Sequence, residues 1–504
     1  PEGVKLDFAV TVNPITTGVA FEGNTVYTSE VLTKFMDLQP GQVLNSVYVG
    51  QKVQGINAAY ARDGYMLAHV DGIRVDDQGV LHVHIVEGIV EDIVPAGNKK
   101  TRDKVITREF VQKKGKPFNK FLVRRSVERV YNLGFFDDVN VRMLPGDQDP
   151  NNVIIEIDVL EHKTGTITLG AGYSKSDGLM GIIEFGEDNF RGTGDKFKVH
   201  WEIGGKKKYK NYQISYLKPW IDSKGTSLGF SFFNREDEYT DYNEDGNEVA
   251  EYNKKSRGFN ISFGRQTGEY TRDYLTLESR KDSYKWDDDD SSGFRYDENA
   301  GSGTNWKNPR NFRNEGYVDK NFGRINSITW QKVYDSRDNI YEPTRGRRIS
   351  YTAQWAGHGL GGNFDFYKFT AETRMYKKLG AKNVLAFRAR GGFIQGDAPY
   401  SQLFTLGGAD SLRGYEDDQF RGKYMYNATL EFRFPIVKKV SGVLFTDIGD
   451  AWDAPNVTWY NSKKTFNYGV GAGVRITTPI GPVKLDYGVG KHKNKFHFSF
   501  GTQF

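Results

Sequence analysis

The sequence predicts a transmembrane antiparallel β-barrel, expected at 16 strands, preceded by small α/β domains of order β-α-α-β-β. Three observations predict it. The first 165 residues contain a repeat at an offset of 74 residues, and the segments after about His162 alternate apolar with polar residues as far as Phe504. Third, no apolar run reaches the roughly 18 residues that a membrane-crossing helix needs. Composition agrees: hydrophobic residues are 38% and mean hydropathy is −0.62, which excludes a helical membrane protein. The 57 glycines, 29 tyrosines and 34 phenylalanines suit strands with aromatic faces and tight turns.

The repeat defines the amino-terminal domains. VAFEGNTVYTSEVLTKFMDLQPGQVLN, from Val19 to Asn45, aligns with IVPAGNKKTRDKVITREFVQKKGKPFN, from Ile93 to Asn119, with Gly23-Asn24 and Gly97-Asn98 in step. Each copy continues through a helical stretch, Val47 to Tyr60 or Phe121 to Tyr131, and closes with the strand-like LHVHIVEG or NVIIEIDVLE. In the second copy Val123, Val127 and Val130 share one helical face. Residues 14–88 and 89–161 are therefore expected to be two domains, and VKLDFAVTVN within residues 1–13 the remnant of a third. The chain opens on Pro1 without an initiator methionine or a signal segment, which implies a processed or truncated chain.

Residues 162–504 are expected to form the barrel. In KFKVHWEIG, Phe197, Val199, Trp201 and Ile203 alternate with Lys196, Lys198, His200 and Glu202. In YMYNATLEFRFPI, Tyr424, Tyr426, Ala428, Leu430, Phe432 and Phe434 alternate with Asn427, Thr429, Glu431 and Arg433. Segments of about 10 residues, apolar outward and polar inward, are the pattern of a barrel in lipid, where the sheet must close because an open edge leaves backbone groups unbonded. That alternation alone puts Glu431 on the inner face. Two long polar stretches, Asn234 to Ser256 and Trp286 to Arg313, read as surface loops, and the acids Asp287 to Asp290 as solvated rather than cation-binding.

Several chemistries are excluded or weakened. Without cysteine there is no disulfide framework, thiolate nucleophile or zinc-thiolate site. The balance of 69 basic against 64 acidic residues gives no case for nucleic acid. GTSLG, Gly225 to Gly229, matches GxSxG, but a nucleophile elbow joins a strand to a helix, whereas Leu228, Phe230 and Phe232 continue a strand. His82 and His84 share one strand face with no third metal ligand at hand. No nucleotide-binding GxxxxGK(S/T) is present. Neither an enzyme nor a cofactor is expected.

The motifs, taken in order, resemble the BamA/TamA superfamily of outer-membrane assembly and translocation proteins, which carry periplasmic POTRA domains before a 16-stranded barrel. DNFRGTGD (Asp188 to Asp195), YDSRDNIYEPTRG (Tyr334 to Gly346), FTDIGDAW (Phe445 to Trp452) and GVGAGVRITTPIGPVKLDYG (Gly469 to Gly488) are similar to its barrel motifs. LRGY, formed by Leu412, Arg413, Gly414 and Tyr415, resembles its (V/I)RG(F/Y) loop signature, with leucine a mild departure. Phe496, Phe498, Phe500 and Phe504 in FHFSFGTQF resemble the terminal signal of outer-membrane proteins.

The resemblance implies that the loop in GGADSLRGYE folds into the lumen and brings Arg413 to Glu431 and Asp447. Asp447 shares parity with Phe445, so either register of that strand turns an apolar residue inward. A wet lumen would make the pair worth ~0–1 kcal/mol, a dry one ~3–5 kcal/mol on removal of a partner.

The function so implied is assembly of β-barrel precursors in a bacterial outer membrane. The first strand, short and glycine-rich with Ile167, Leu169, Gly170 and Gly172, would form a weak seam with the last. Partners would be unfolded precursors, periplasmic accessory proteins or lipoproteins, and the lipid bilayer. The alternatives are a TamA-like autotransporter assembly factor, a two-partner secretion pore and, with the repeats unexplained, a passive porin.

Overall fold

The computed structural model describes residues 13–174, 178–204, 209–242, 248–285, 295–296, 322–339, 342–454, 463–478, 481–491 and 493–500. The remnant expected within residues 1–13 lies almost wholly outside these, as do Asp287 to Asp290 and Phe504. The chain divides into two compact units: residues 1–165 with 187–195, and residues 166–186 with 196–504.

In the first unit both repeats fold in the order β-α-α-β-β. The first comprises strand Gly18–Glu22, helices Ser29–Met36 and Ser46–Arg62, and strands His69–Val75 and Val80–Val86. The second comprises strand Val90–Ala96, helices Asp103–Thr107 and Lys120–Tyr131, and strands Phe136–Pro145 and Val153–Glu161. In each, the last strand lies between the other two, parallel to the first and antiparallel to the second. One core gathers Met36, Ile56, Tyr60, Leu81 and Ile85, the other Ile106, Phe110, Val130, Ile155 and Ile157.

The 74-residue offset reappears as a set of equivalent hydrogen bonds. Asn24 and Asn98 each donate from Nδ2 to the carbonyl three residues on, at 2.7 Å. Asn45 and Asn119 cap the long helices through Oδ1. Glu87 accepts from the amides of Thr25 and Val26, and Glu161 from those of Lys99, Lys100 and Thr101. The glycine before each asparagine has φ of +83° or +81°, and a Cβ there would meet the Ile85 or Val159 carbonyl oxygen at 2.1 or 2.3 Å. Only glycine meets both demands. The buried Tyr60 hydroxyl, donating to Glu87 at 2.9 Å, is raised above the ordinary phenol range by desolvation first and that bond second. The turn Glu187–Asp195 belongs to this unit, with Asn189 Nδ2 donating to Thr101 Oγ1 at 2.8 Å.

The second unit is a closed antiparallel barrel. Seventeen strands form the ring, one of them the two-residue Arg295–Tyr296; the other sixteen run from Gly165–Ser174 to Asn494–Phe500 among the described residues. Apolar side chains such as Trp201, Phe232, Trp330, Tyr367 and Leu430 face outward and stay exposed, while Asn427, Thr429 and Glu431 are buried inside. No helix among the described residues is long and apolar enough to cross a membrane.

Two expectations need correction. Of the stretch Asn234 to Ser256, the described residues are not a loop: strands Ser227–Tyr242 and Glu248–Gln266 stay paired from Ser227↔Gly264 to Tyr242↔Glu248. A bilayer requires about 9–11 residues per strand, so beyond that band both faces meet water and the ladder continues without an apolar face. Glu236 and Lys255, opposite each other, lie 3.6 Å apart. The first barrel strand, with 10 residues, is also no shorter than Asp195–Gly204 or Tyr209–Lys218. Three of its 10 residues are glycine, as in Gly481–Gly490, and the last strand has 7 described residues.

Two outcomes are expected for the repeats. Gly97→Ala forces a side chain against the Val159 carbonyl at positive φ and should lower stability by ~1–3 kcal/mol, read as an earlier urea transition of the full chain. His82 is held by Asp76 at 2.9 Å and Glu22 at 3.1 Å, and those bonds, Asp76 first, raise its pKa. Its contribution to stability is therefore full below the ordinary histidine pKa of about 6.5 and is lost as pH rises through the folded value. NMR titration should place His82 above the ordinary value and Asp76→Asn should bring it down.

Candidate functional site

Strand Asn383–Gly396 is followed by a segment that turns inward before strand Tyr424–Val437 begins. It contains a short 3-10 turn, Tyr400–Gln402, and a small hairpin that pairs Phe404–Leu406 with Phe420–Gly422. Apolar packing holds it inside: Leu406, Leu412, Tyr415 and Phe420 form one core with the barrel residues Met425 and Ala451. Gly407, Gly408 and Gly414 have φ of +125°, +93° and +96°, which let the backbone double back at either end of the motif.

At the tip, Arg413 is 3% exposed. Its Nε donates to Asp447 Oδ2 at 2.7 Å and its Nη2 to Asp447 Oδ1 at 2.9 Å, a two-pronged pair that a lysine cannot make. The backbone amide of the same residue donates to Asp447 Oδ2 at 3.1 Å. Nη1 reaches Glu431 Oε1 at 2.8 Å and Asp486 Oδ2 at 3.4 Å. The guanidinium lies 3.4 Å from the centroid of the Phe445 ring.

Those carboxylates hold two further arginines. Arg433 donates to Glu431 Oε2 at 2.8 Å, and Arg475 donates to Asp486 at 2.6 and 3.0 Å. Three guanidinium groups thus face three carboxylates in a space from which water is largely excluded. Removing any one leaves a buried charge uncompensated. Upstream in the loop, Lys484 Nζ binds Asp410 at 2.8 Å, and Asn427 Nδ2 donates to the Ser411 carbonyl at 3.0 Å.

The loop also touches the end of the sheet. A Cβ on Gly469 would stand 1.9 Å from the Arg413 carbonyl oxygen, and one on Gly488 2.5 Å from the Gly414 amide nitrogen. The Gly414 amide donates to Nε2 of His497, in the last strand, at 3.0 Å. Tyr415 Oη donates to the Tyr468 carbonyl at 3.1 Å and accepts from the Lys491 amide at 3.0 Å.

Glu431 and Asp447 are therefore in contact with Arg413, and Leu412, Gly414 and Tyr415 are packed around it. Phe445 and Asp447 both face inward, which resolves the parity question: the aromatic ring is the floor on which the arginine lies. The remaining sequence-derived residues lie elsewhere. Ile167 and Leu169 point outward, 73% and 74% exposed, as do Phe496 and Phe498 at 60% and 58%. Gly170 and Gly172 lie within the first strand, and Phe500 ends the last described strand. That strand pairs with Gly481–Gly490 from Val483↔Phe500 to Val489↔Asn494 and neighbours the first strand in the closed ring.

Asp486, Arg433, Arg475, Phe445 and His497 were not singled out as site residues. For Asp486 a signal existed: Val483, Leu485, Tyr487 and Val489 alternate with Lys484 and Asp486, which turns the acid inward as it does Glu431. His497 alternates with Phe496 and Phe498 in the same way. Alternation gives the face of each residue but not its partner.

A closed barrel with an apolar outer surface and an ionic core, preceded by two β-α-α-β-β domains, defines an integral membrane protein of the outer-membrane type with POTRA domains in the periplasm. Residues 189–504 match the Omp85 superfamily domain, and residues 14–88 and 89–162 each match the POTRA family described as a surface antigen variable number repeat. The chain belongs to the Omp85 superfamily.

Among its relatives is the outer membrane protein assembly factor BamA of Nitratidesulfovibrio vulgaris, 26% identical over 100% of this chain. The chain spans 64% of that relative's length. Outer envelope protein 80 of Arabidopsis thaliana chloroplasts is 25% identical over 100% of this chain and 69% of its own. In fold, the crystal structure of Haemophilus ducreyi BamA lacking POTRA domains 1–3 superposes with a TM-score of 0.65 at 20% identity, covering 97% of this chain and 100% of that one.

Arg413→Ala should destabilise the barrel by ~3–5 kcal/mol, and Asp447→Ala by a similar amount. Because the two share one ion pair, the double variant should cost clearly less than the sum. The temperature at which the folded band is lost in heat-modifiability gels, compared across the four proteins, measures this.

Proposed function

We propose that this chain folds and inserts β-barrel precursors into the outer membrane. The reading rests on membership of the Omp85 superfamily and on similarity to a BamA relative, and one structural observation carries its mechanism. The barrel closes where a glycine-rich strand, Gly165–Ser174, neighbours the last strand, Asn494–Phe500. Glycine weakens a strand through backbone entropy and through the packing it omits. A seam with such a strand on one side opens at lower cost than one between strands whose side chains pack fully.

An opened seam presents an unpaired row of amides and carbonyls within the bilayer, where nothing else satisfies them. The terminal strand of an unfolded precursor satisfies that row by β-augmentation, and each later strand pairs with the one before it. The POTRA domains would receive the precursor and any accessory lipoprotein in the periplasm. The free energy comes from folding of the precursor. The clasp around Arg413 would keep strands Tyr424–Val437, Val440–Trp452 and Gly481–Gly490 in register while the neighbouring seam parts.

Locking the seam tests this. The chain has no cysteine, so Leu169→Cys can be combined in turn with Phe496→Cys, Phe498→Cys or Phe500→Cys. The pair that crosslinks should abolish precursor insertion in reconstituted vesicles and regain it with reductant. Full insertion by the crosslinked protein would sink the seam mechanism. Depletion in the native organism should lower outer-membrane barrels in general; loss of a single exported protein would instead indicate a dedicated secretion pore.

A further inference from the structure

The bond between Gly414 and His497 joins the inward loop to the strand that closes the barrel, beside the ion pair of Glu416 with Lys495. His497 is 5% exposed, and its Nε2 accepts the Gly414 amide proton at 3.0 Å. A ring nitrogen accepts only when it carries no proton, so this contact requires the neutral imidazole with its hydrogen on Nδ1. Protonation replaces the lone pair with a second donor pointed at an amide N–H.

The surroundings do not compensate that change. Charged groups that act on the ring include Asp417, Lys495, Asp486 and Arg413, and Asp417 is exposed, where water screens its charge. Asp486, directly opposite on the neighbouring strand, already accepts from Arg475 through both oxygens and from Arg413. Lys495 is paired with Glu416, and Arg413 adds a like charge. The strand on the other side, Gly165–Ser174, contains no Asp, Glu, Lys, Arg or His. A buried imidazolium at this position would be short of acceptors, and the contact it disfavours directly is the one with the Gly414 amide.

We propose that His497 is a positioning residue through which proton binding loosens the loop from the last strand, so that the seam opens more readily as pH falls from about 8 to about 5. The consequence for precursor insertion rests on the seam reading above; the proton-linked release itself does not, and it is measured with no precursor present.

Ser411→Cys supplies the reporter, since Ser411 is 8% exposed and becomes reachable when the loop withdraws. The full-length protein, reconstituted in vesicles, is labelled with a small thiol reagent at pH 8 and pH 5. Each rate is divided by that of the heat-unfolded protein at the same pH, which removes the reagent's own pH dependence. In the wild-type background the corrected rate should rise about five- to tenfold at pH 5, the factor corresponding to one net hydrogen bond. His497→Gln retains an acceptor oxygen that does not titrate, and should stay slow at both pH values; His497→Leu retains none and should be fast at both.

A flat profile in the wild-type background would overturn the proposal, as would an unchanged profile in His497→Gln. Should either variant fail to give the folded band, the wild-type comparison alone decides. If the labelling follows the expected pattern while seam crosslinks leave insertion intact, the switch stands and the proposed function falls.

Discussion

A guanidinium taken out of water must find acceptors for its donors, and the interior of this barrel is organised around that requirement at Arg413. Two prongs and the backbone amide go to Asp447, a further nitrogen to Glu431 and Asp486, and the ring of Phe445 covers one face. Glu431 and Asp486 in turn need Arg433 and Arg475. Each charge is tolerated because its neighbours are present, so the cluster is cooperative rather than a sum of pairs. Since its members come from four strands and one loop, it fixes the mutual placement of all five.

The loop reaches that position because the wall opposite it is made of glycine. Gly469 and Gly488 leave room for the backbone of Arg413 and Gly414, and any side chain there would overlap main-chain atoms. The same absence of side chains weakens cohesion between strands near the end of the barrel. Bulk has been removed where the loop must approach, and fixed charges hold what packing no longer does.

Much of this was legible in the sequence, unevenly. The 74-residue repeat mapped onto equivalent asparagines, glutamates and glycines, because those residues satisfy the same backbone groups in both domains. Alternation placed Glu431 inside. It misjudged Asn234 to Ser256, since a strand wetted on both faces has no apolar period and is held only by its ladder of backbone bonds, which no composition reveals. It left Asp447 undecided, since Phe445 reads as lipid-facing until its stacking with Arg413 is seen.

By itself the sequence determined the class of fold, the order of elements in the two small domains and the inward face of regularly alternating strands such as that of Glu431. These follow from local constraints: the two-residue period of a strand, the handedness open to glycine, the capping of a helix end. The tertiary structure decided partnership. That Asp486 and Arg475 complete the ionic cluster, that Phe445 floors it and that His497 meets Gly414 all depend on the entry of the loop into the lumen beside these neighbouring strands. The loop's entry brings Arg413 to Asp486 and Gly414 to His497 across more than 60 positions of sequence, and no local pattern encodes which of the inward-facing groups will meet.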